Sequence, residues 1–434
     1  MPVIIILALL ATLTHAQGRP WPEIVGPTHA KLPAASPFKV TWRSDLKSAL
    51  VEAQKGKKPL FVTWRCLPCK QCADFDKRVL DGSPALTPLL DRFVTVRMTD
   101  ASQLDARIFP YTEYQDLDLS WWGYFLSPEG RLYGIFGGKD HVSDSTRISE
   151  EALVNSLTRI LEHHYDPRRQ SWDVDGPTPN FREAASTPKS QAGFAEFASD
   201  RPWLGKQACL HCHQVRDIQN GIALANNSFN LKAFSQPWPL PENVGITLDR
   251  DHGLRVHRVA AGSPAERLGI RAGDELAMAN EKKLFGQADF RGVLHRAPLG
   301  TAKVTVGWLR KGLYARGILA LADDWRKTEI SWRKSVYDGV VGEWIGFFPN
   351  RGPSQGRGRL SVRPYMGRGN KAKENPWWPE GLRPNMEVVA INGRRDDWNS
   401  RELLTWFKLN HKKGDRVTIE VKGGKTFSRR LPLR

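Results

Sequence analysis

A twelve-residue stretch occurs twice in the C-terminal half of this chain, and it restricts the fold more than any other feature. Gly269-Ile270-Arg271-Ala272-Gly273-Asp274-Glu275-Leu276-Ala277-Met278-Ala279-Asn280 aligns without a gap on Gly381-Leu382-Arg383-Pro384-Asn385-Met386-Glu387-Val388-Val389-Ala390-Ile391-Asn392. Each copy is followed by helical spacing, Asp289 to His295 and Arg401 to Leu409, and then by a β-rich stretch, Lys303 to Leu309 and Arg416 to Val421. Residues 242–325 and 332–434 therefore read as two copies of one mainly β domain. The chain has 434 residues, and a domain usually holds about 100 to 200, so the N-terminal half needs a core of its own.

That half has the pattern of a mixed α/β unit over residues 38–166. After a Pro-rich lead from Arg19 to Pro37, apolar residues recur at helical spacing from Ser44 to Lys55, and Pro59-Leu60-Phe61-Val62-Thr63-Trp64 reads as a buried strand. A strand from Phe93 to Met98, a hairpin around Ser127-Pro128-Glu129-Gly130 and a helix from Ser149 to His164 complete it. Residues 167–241 are rich in Pro, Ser and Asn and read as a linker holding a small site. The fold class expected is multidomain, α/β followed by mainly β.

Residues 1–17 contain an apolar run from Val3 to Leu13 and then Thr14-His15-Ala16, which suits signal peptidase and points to export, periplasmic or extracellular. Met1-Pro2 carries no Lys or Arg, so an uncleaved membrane anchor is the alternative. The net charge of +18 would suggest nucleic acid for an intracellular protein. Export and the scatter of the basic residues argue against that partner, and favour a solvated or envelope-facing surface.

The five cysteines, Cys66, Cys69, Cys72, Cys209 and Cys212, form two tight clusters, which excludes a disulfide scaffold. Three-residue spacing in an exported chain points to redox chemistry, metal binding or haem attachment. Trp64-Arg65-Cys66-Leu67-Pro68-Cys69-Lys70 follows the buried strand and opens a helix. Unpaired N–H groups at a helix start stabilise a thiolate, and Arg65 adds a cation beside Cys66. Cys72 follows Cys69 on the same helix face, as an auxiliary thiol, a soft metal ligand or a plain buried residue.

This placement resembles the thioredoxin superfamily from about Phe38 to Asp166. The resemblance implies a thioredoxin-like fold in which Cys66 attacks and Cys69 resolves. It departs from the family at Leu119-Ser120-Trp121-Trp122-Gly123, where the family's cis-proline is missing.

Cys209-Leu210-His211-Cys212-His213 fits C-x-x-C-H, in which two thiols anchor haem c and the histidine, here His213, binds iron. No Met lies between His213 and Met278, and Met278 belongs to a repeated strand. His252 and His257 are left as distal candidates, beside a five-coordinate iron. A zinc or copper site using His211 or His213 and a simple disulfide are the competing readings; the metal, if any, is unknown.

The first repeat, with Val244-Gly245-Ile246, Gly253-Leu254-Arg255-Val256 and Ala261-Gly262-Ser263-Pro264-Ala265, resembles bacterial PDZ domains. The resemblance implies that Val244, Gly245 and Ile246 turn N–H groups toward a peptide's terminal carboxylate while the next strand adds the peptide to the sheet. Ile345, Gly346 and Phe347 hold the same place in the second repeat, where inserts at Asn350 to Arg359 and Asn370 to Pro379 depart from the pattern. No G-x-S-x-G element points to a protease.

The whole order is similar to the thioredoxin/PDZ (seleno)proteins of environmental bacteria. The expected function is an exported thiol-disulfide oxidoreductase whose two PDZ-like domains recruit protein C-termini. The alternative is a non-enzymatic haem- or metal-binding redox adaptor of the cell envelope.

Overall fold

The structure, a computed structural model, describes residues 21–35, 40–65, 70–100, 104–139, 148–195, 210–226, 228–337, 345–350, 356–362, 375–412 and 414–431. The leader, Cys66, Cys69 and Cys209 lie outside the described residues.

The N-terminal unit is built on a four-stranded sheet. β1 (Leu60–Trp64) pairs in parallel with β2 (Val94–Met98) and antiparallel with β3 (Ser120–Leu126), which forms a hairpin with β4 (Leu132–Lys139); the order is β2-β1-β3-β4. Side chains alternate across a strand, so Leu60, Val62 and Trp64 face one core while Phe61 faces the other.

The helices follow from their caps and periodicity. In α1 (Leu46–Gly56), the Asp45 side chain accepts the Ser48 N–H at 2.7 Å, and Lys57 ends the helix in the left-handed region. α1 covers the Leu60–Val62–Trp64 face through Ala49 and Ala53. The opposite face is covered by α2 (Lys70–Phe75), continued by a π turn over Asp76–Leu80, and by α4 (Glu150–Tyr165). Ser149 caps α4, which buries Leu153, Leu157, Ile160 and Leu161.

Between β2 and β3 the chain carries only one four-residue helix among the described residues, α3 (Tyr111–Tyr114), too short to close the α1 face. The missing cover comes from the segment read as a linker. There α5 (Cys212–Ala225) runs for 14 residues, and Leu210, Cys212, Val215 and Ile218 enter the same core as Trp64 and Tyr124. Part of this segment is therefore an element of the N-terminal core.

Two β-rich units follow. The first contains β5 (Ile246–Leu248), β6 (Val256–Val259), β7 (Glu275–Ala279), β8 (Lys282–Lys283), α6 (Gln287–Arg296), β9 (Ala302–Arg310) and β10 (Leu313–Leu321). A β5-β6 ribbon is joined to the β10-β9-β7-β8 sheet by the bridge between Arg255 and Glu275. After the short helix α7 (Lys334–Tyr337), the second contains β11 (Phe347–Pro349), β12 (Leu360–Val362), β13 (Glu387–Ile391), α8 (Ser400–Asn410), β14 (Arg416–Val421) and β15 (Thr426–Arg430). Its sheet runs β11-β12-β13-β14-β15, so the matched stretches of sequence occupy matched strands, β7 and β13.

The first β-rich unit is docked on the N-terminal sheet. Strand β4 is an edge strand, and its Ile135 N–H donates to Asp289 of α6 at 3.0 Å; the same carboxylate accepts from Phe285 and Gly286 N–H. Gly134 makes this approach possible, since a Cβ there would lie 2.9 Å from both Asp289 and Phe285. Among the described residues, no helix is long and apolar enough to cross a membrane.

Candidate functional site

The redox motif is framed by residues whose positions are fixed. Trp64, at the end of β1, is in register with Met98 and Trp122, and α2 begins at Lys70, so strand end and helix start bracket Cys66 to Cys69 as the sequence implies. Arg65 is not a lone cation. Its Nε donates to Asp76 Oδ2 at 2.6 Å, which shares the guanidinium charge with a carboxylate that is itself 3% exposed. Trp121 Nε1 donates to the other Asp76 oxygen at 2.9 Å, and Arg97 approaches at 3.6 Å.

Trp121 stands in the stretch that departs from the thioredoxin pattern, and its φ of +59° is a left-handed conformation that costs a bulky residue about 1–2 kcal/mol. The Asp76 hydrogen bond and the Phe75 ring, with centroids 4.5 Å apart, hold it there. Cys72 is fully buried in the same core as Phe61, Phe75 and Trp121, which favours its reading as a core residue of α2.

A buried charge cluster fixes the chain just before β3. Arg333 forms a fork on Asp116, with Nη1 to Oδ1 at 2.6 Å and Nη2 to Oδ2 at 2.9 Å, and Arg291 of α6 approaches the same carboxylate at 3.4 Å. Burial works against ionisation of Asp116, but the Arg333 fork holds its carboxyl below the usual range. Asp118 accepts from the Ser335 N–H and hydroxyl, and burial raises its carboxyl. Arg216, one turn beyond Cys212 on α5, is half-buried and lines the same small pocket as these carboxylates.

The second cysteine cluster begins α5. Cys212 is 6% exposed, next to Tyr124, whose phenol is pushed well above its ordinary range by burial and further by Cys212. The His211 and His213 rings stack at 5.5 Å, and Gln214 caps the turn by accepting the His211 N–H at 2.8 Å. A thioether to Cys212 would place a porphyrin edge where Trp64, Tyr124, Val215 and Ile218 already pack, so the described residues do not fit haem at that sulfur. Of the distal candidates, His252 accepts the Arg255 N–H and contacts Arg159, and His257 is exposed on β6; Met278, set aside as a strand residue, is fully buried with Trp21 and Trp172. Among the described residues, no group of three or more His, Cys, Asp or Glu side chains could hold a metal ion.

In the first β-rich unit, Val244 and Ile246 are fully buried and Gly245 has a φ of +87°. Its N–H donates to Glu242 O at 3.0 Å, closing a 3-10 turn, so that group does not face outward as the resemblance implied. Ala260 N–H bonds Gly245 O, which marks a hydrogen-bonded pair; the next pair, Ile246 with Val259, therefore points its amide groups away from β6, toward the edge of β5 that has no strand partner among the described residues, although Ile246 itself is fully buried. The second unit repeats this arrangement. Ile345 and Phe347 are buried, Gly346 has a φ of +60° under Asn375, and the Asn350–Arg359 bond sets the amide groups of Phe347 to point away from β12.

Asp76, Trp121, Asp116 and Arg333 escaped the reading of the sequence. The only signal was the unusual density of Asp and Trp between Asp116 and Trp122. Residues 41–116 match the family model of thioredoxin-like domains, a span that begins just before α1 and ends at the buried Asp116. No curated protein matches the chain significantly.

Proposed function

We propose that the protein is an exported thiol-disulfide oxidoreductase in which Cys66 is the nucleophile and Cys69 the resolving thiol. A single observation carries this reading: the thioredoxin-like match over residues 41–116 includes a C-x-x-C whose two flanks are the end of a buried strand and the start of a helix. The Cys66 thiolate attacks one sulfur of a client disulfide, forming a mixed disulfide and releasing the client's other thiolate. Cys69 then attacks Cys66, which frees the client as a dithiol and leaves Cys66–Cys69 oxidised. The Asp76 carboxylate keeps Arg65 in place beside the motif and tempers its pull on the thiolate.

The β-rich units would recruit clients as PDZ domains do, by adding an extended segment beside β5. The amide groups of Ile246, which point away from β6, support this role, and those of Phe347, which point away from β12, support it in the second copy; both residues are buried, so the edge must open to admit a segment. With Gly245 N–H spent on Glu242, strand addition contributes more of the binding than capture of a carboxylate. Haem or metal adaptor function is the rival proposal, and the packing around Cys212 weighs against its haem form.

Iodoacetamide competition on the reduced protein at neutral pH tests the assignment. Cys66 should be labelled first; faster labelling of Cys69 or Cys72 contradicts it. An absorption spectrum and intact mass of export-matured protein test the rival: a Soret band with one haem's added mass would establish it.

A further inference from the structure

We propose that the cleft beside α8 docks an extended segment of a partner protein that carries lysine or arginine side chains into it. The inference goes beyond the oxidoreductase reading and does not depend on it. The cleft is lined by α8, by the loop before that helix and by the chain from Thr328 to Ser331, and none of Phe347 to Pro349 of β11 takes part.

The cleft holds about 650 Å³, room enough for several side chains of a ligand. Trp398 and Trp406 give it an aromatic surface, with ring centroids 5.1 Å apart. Around the rings the lining is charged. The Arg394 guanidinium lies over both rings, 4.7 and 5.1 Å from their centroids, and pairs with Asp396. Arg357 makes a fork on Glu402, with both bonds at 2.9 Å. These four charges cancel in pairs. Glu329 and Asp397 remain, one from each segment of the lining; both are exposed, and no cation pairs with either among the described residues. Four carboxylates against two guanidinium groups leave the cleft at −2, on a chain whose net charge is +18. Most of this surface repels a cationic partner, so the attraction is concentrated here.

Two hydroxyl groups point to a ligand independently of charge. Thr405 lines the cleft and is 8% exposed, and its hydroxyl has no hydrogen-bond partner among the described residues. The hydroxyl of Thr328, from the other segment, is likewise buried and without a partner among them. A buried hydroxyl left without a bond is destabilising, and an incoming N–H donor relieves it. Lysine and arginine match the whole set: the head only donates, to carboxylates and hydroxyls, and the apolar stem packs on the rings. A saccharide would stack on the rings as well, but its neutral hydroxyls leave Glu329 and Asp397 uncompensated.

The test follows the fluorescence anisotropy of a labelled peptide of alternating glycine and lysine, blocked at both ends, mixed with the full chain at low ionic strength. Saturable binding is expected, weakening as salt is added and lost when glutamine replaces lysine in the peptide. The double variant Glu329→Gln/Asp397→Asn, nearly isosteric and at exposed positions, should bind about tenfold more weakly. Glu129→Gln/Glu151→Gln removes two exposed carboxylates of the N-terminal unit and should leave the affinity unchanged. Absence of saturable binding, equal affinity for the glutamine peptide, or an equal loss in the two double variants overturns the proposal. Displacement of the lysine peptide by a chitin oligosaccharide whose own affinity ignores the Glu329 and Asp397 changes also overturns it, and assigns the cleft to a saccharide.

Discussion

Helices α6 and α8 hold equivalent places in the two β-rich units but meet different surroundings. In α6 every residue from Gln287 to Leu294 is buried, because the helix is pressed between its own sheet and the N-terminal unit. In α8 the buried residues are Leu403, Thr405 and Phe407, and its outer face lines an open cleft of about 650 Å³ with Arg394, Asp396, Trp398, Glu402 and Trp406. The carboxylates show the contrast most clearly. Asp289 is 1% exposed and accepts three backbone N–H groups, one of them from another unit, whereas Glu402 caps its own helix and pairs with Arg357 at the surface. Two copies of one topology thus diverge in what covers the helix: the first copy's helix has become an internal joint.

The largest expected effect is at the charge cluster that ties α7's segment to the N-terminal unit. Arg333→Ala leaves Asp116 buried without its fork and should destabilise the protein by about 3–5 kcal/mol in urea titration. A loss below about 1 kcal/mol would mean that the joint does not depend on this cluster. Next comes Asp289→Ala, which strands three N–H groups and should cost about 3 kcal/mol, against about 1 kcal/mol for Glu402→Ala. Equal losses would erase the distinction between the two helices.

Acid should open the first joint before the second unit responds. Burial lowers His163 and His164 to about 4 and His295 to about 3. His163 Nε2 donates to Asp175 at 2.7 Å, with Arg169 and Lys283 nearby, and packs on Phe285 of the first β-rich unit. Because these folded-state values lie below the ordinary 6.5, the unfolded chain takes up protons first as pH falls. Stability is therefore full above about 6.5 and falls as the pH drops from there toward pH 4. Urea midpoints that stay flat between about pH 6.5 and 4 would contradict this. A smaller effect than that of Asp289→Ala is expected at the same joint for Gly134→Ala, whose methyl group would press on Asp289 and Phe285; about 1–2 kcal/mol is predicted, with proteolysis increasing at the joint.

The elements were legible wherever a face is apolar at a regular period. Leu60 to Trp64 emerged as a buried strand, and the helices after each repeat appear at Gln287–Arg296 and Ser400–Asn410. Helix α5 was not legible because Pro, Ser and Asn on either side set the tone of the segment, although Cys212, Val215, Ile218 and Ile222 fall on one helical face. The contacts that shape the site were out of reach for a different reason. Trp121 meets Asp76 across 45 residues and Arg333 meets Asp116 across 217, distances at which no local pattern signals a partner. The strand and helix that flank the cysteine motif were readable, whereas the Asp76 that restrains Arg65 was not.

The central claim, that Cys66 and Cys69 exchange as a redox pair, is tested most directly by redox equilibration. The full chain is held in glutathione buffers of graded potential, quenched by alkylation, and the 66–70 peptide is quantified in its dithiol and disulfide forms. The expected result is a reversible two-electron transition with a midpoint between about −120 and −270 mV, the range spanned by thioredoxin-fold oxidoreductases. A peptide that stays in one state across the whole series would contradict it.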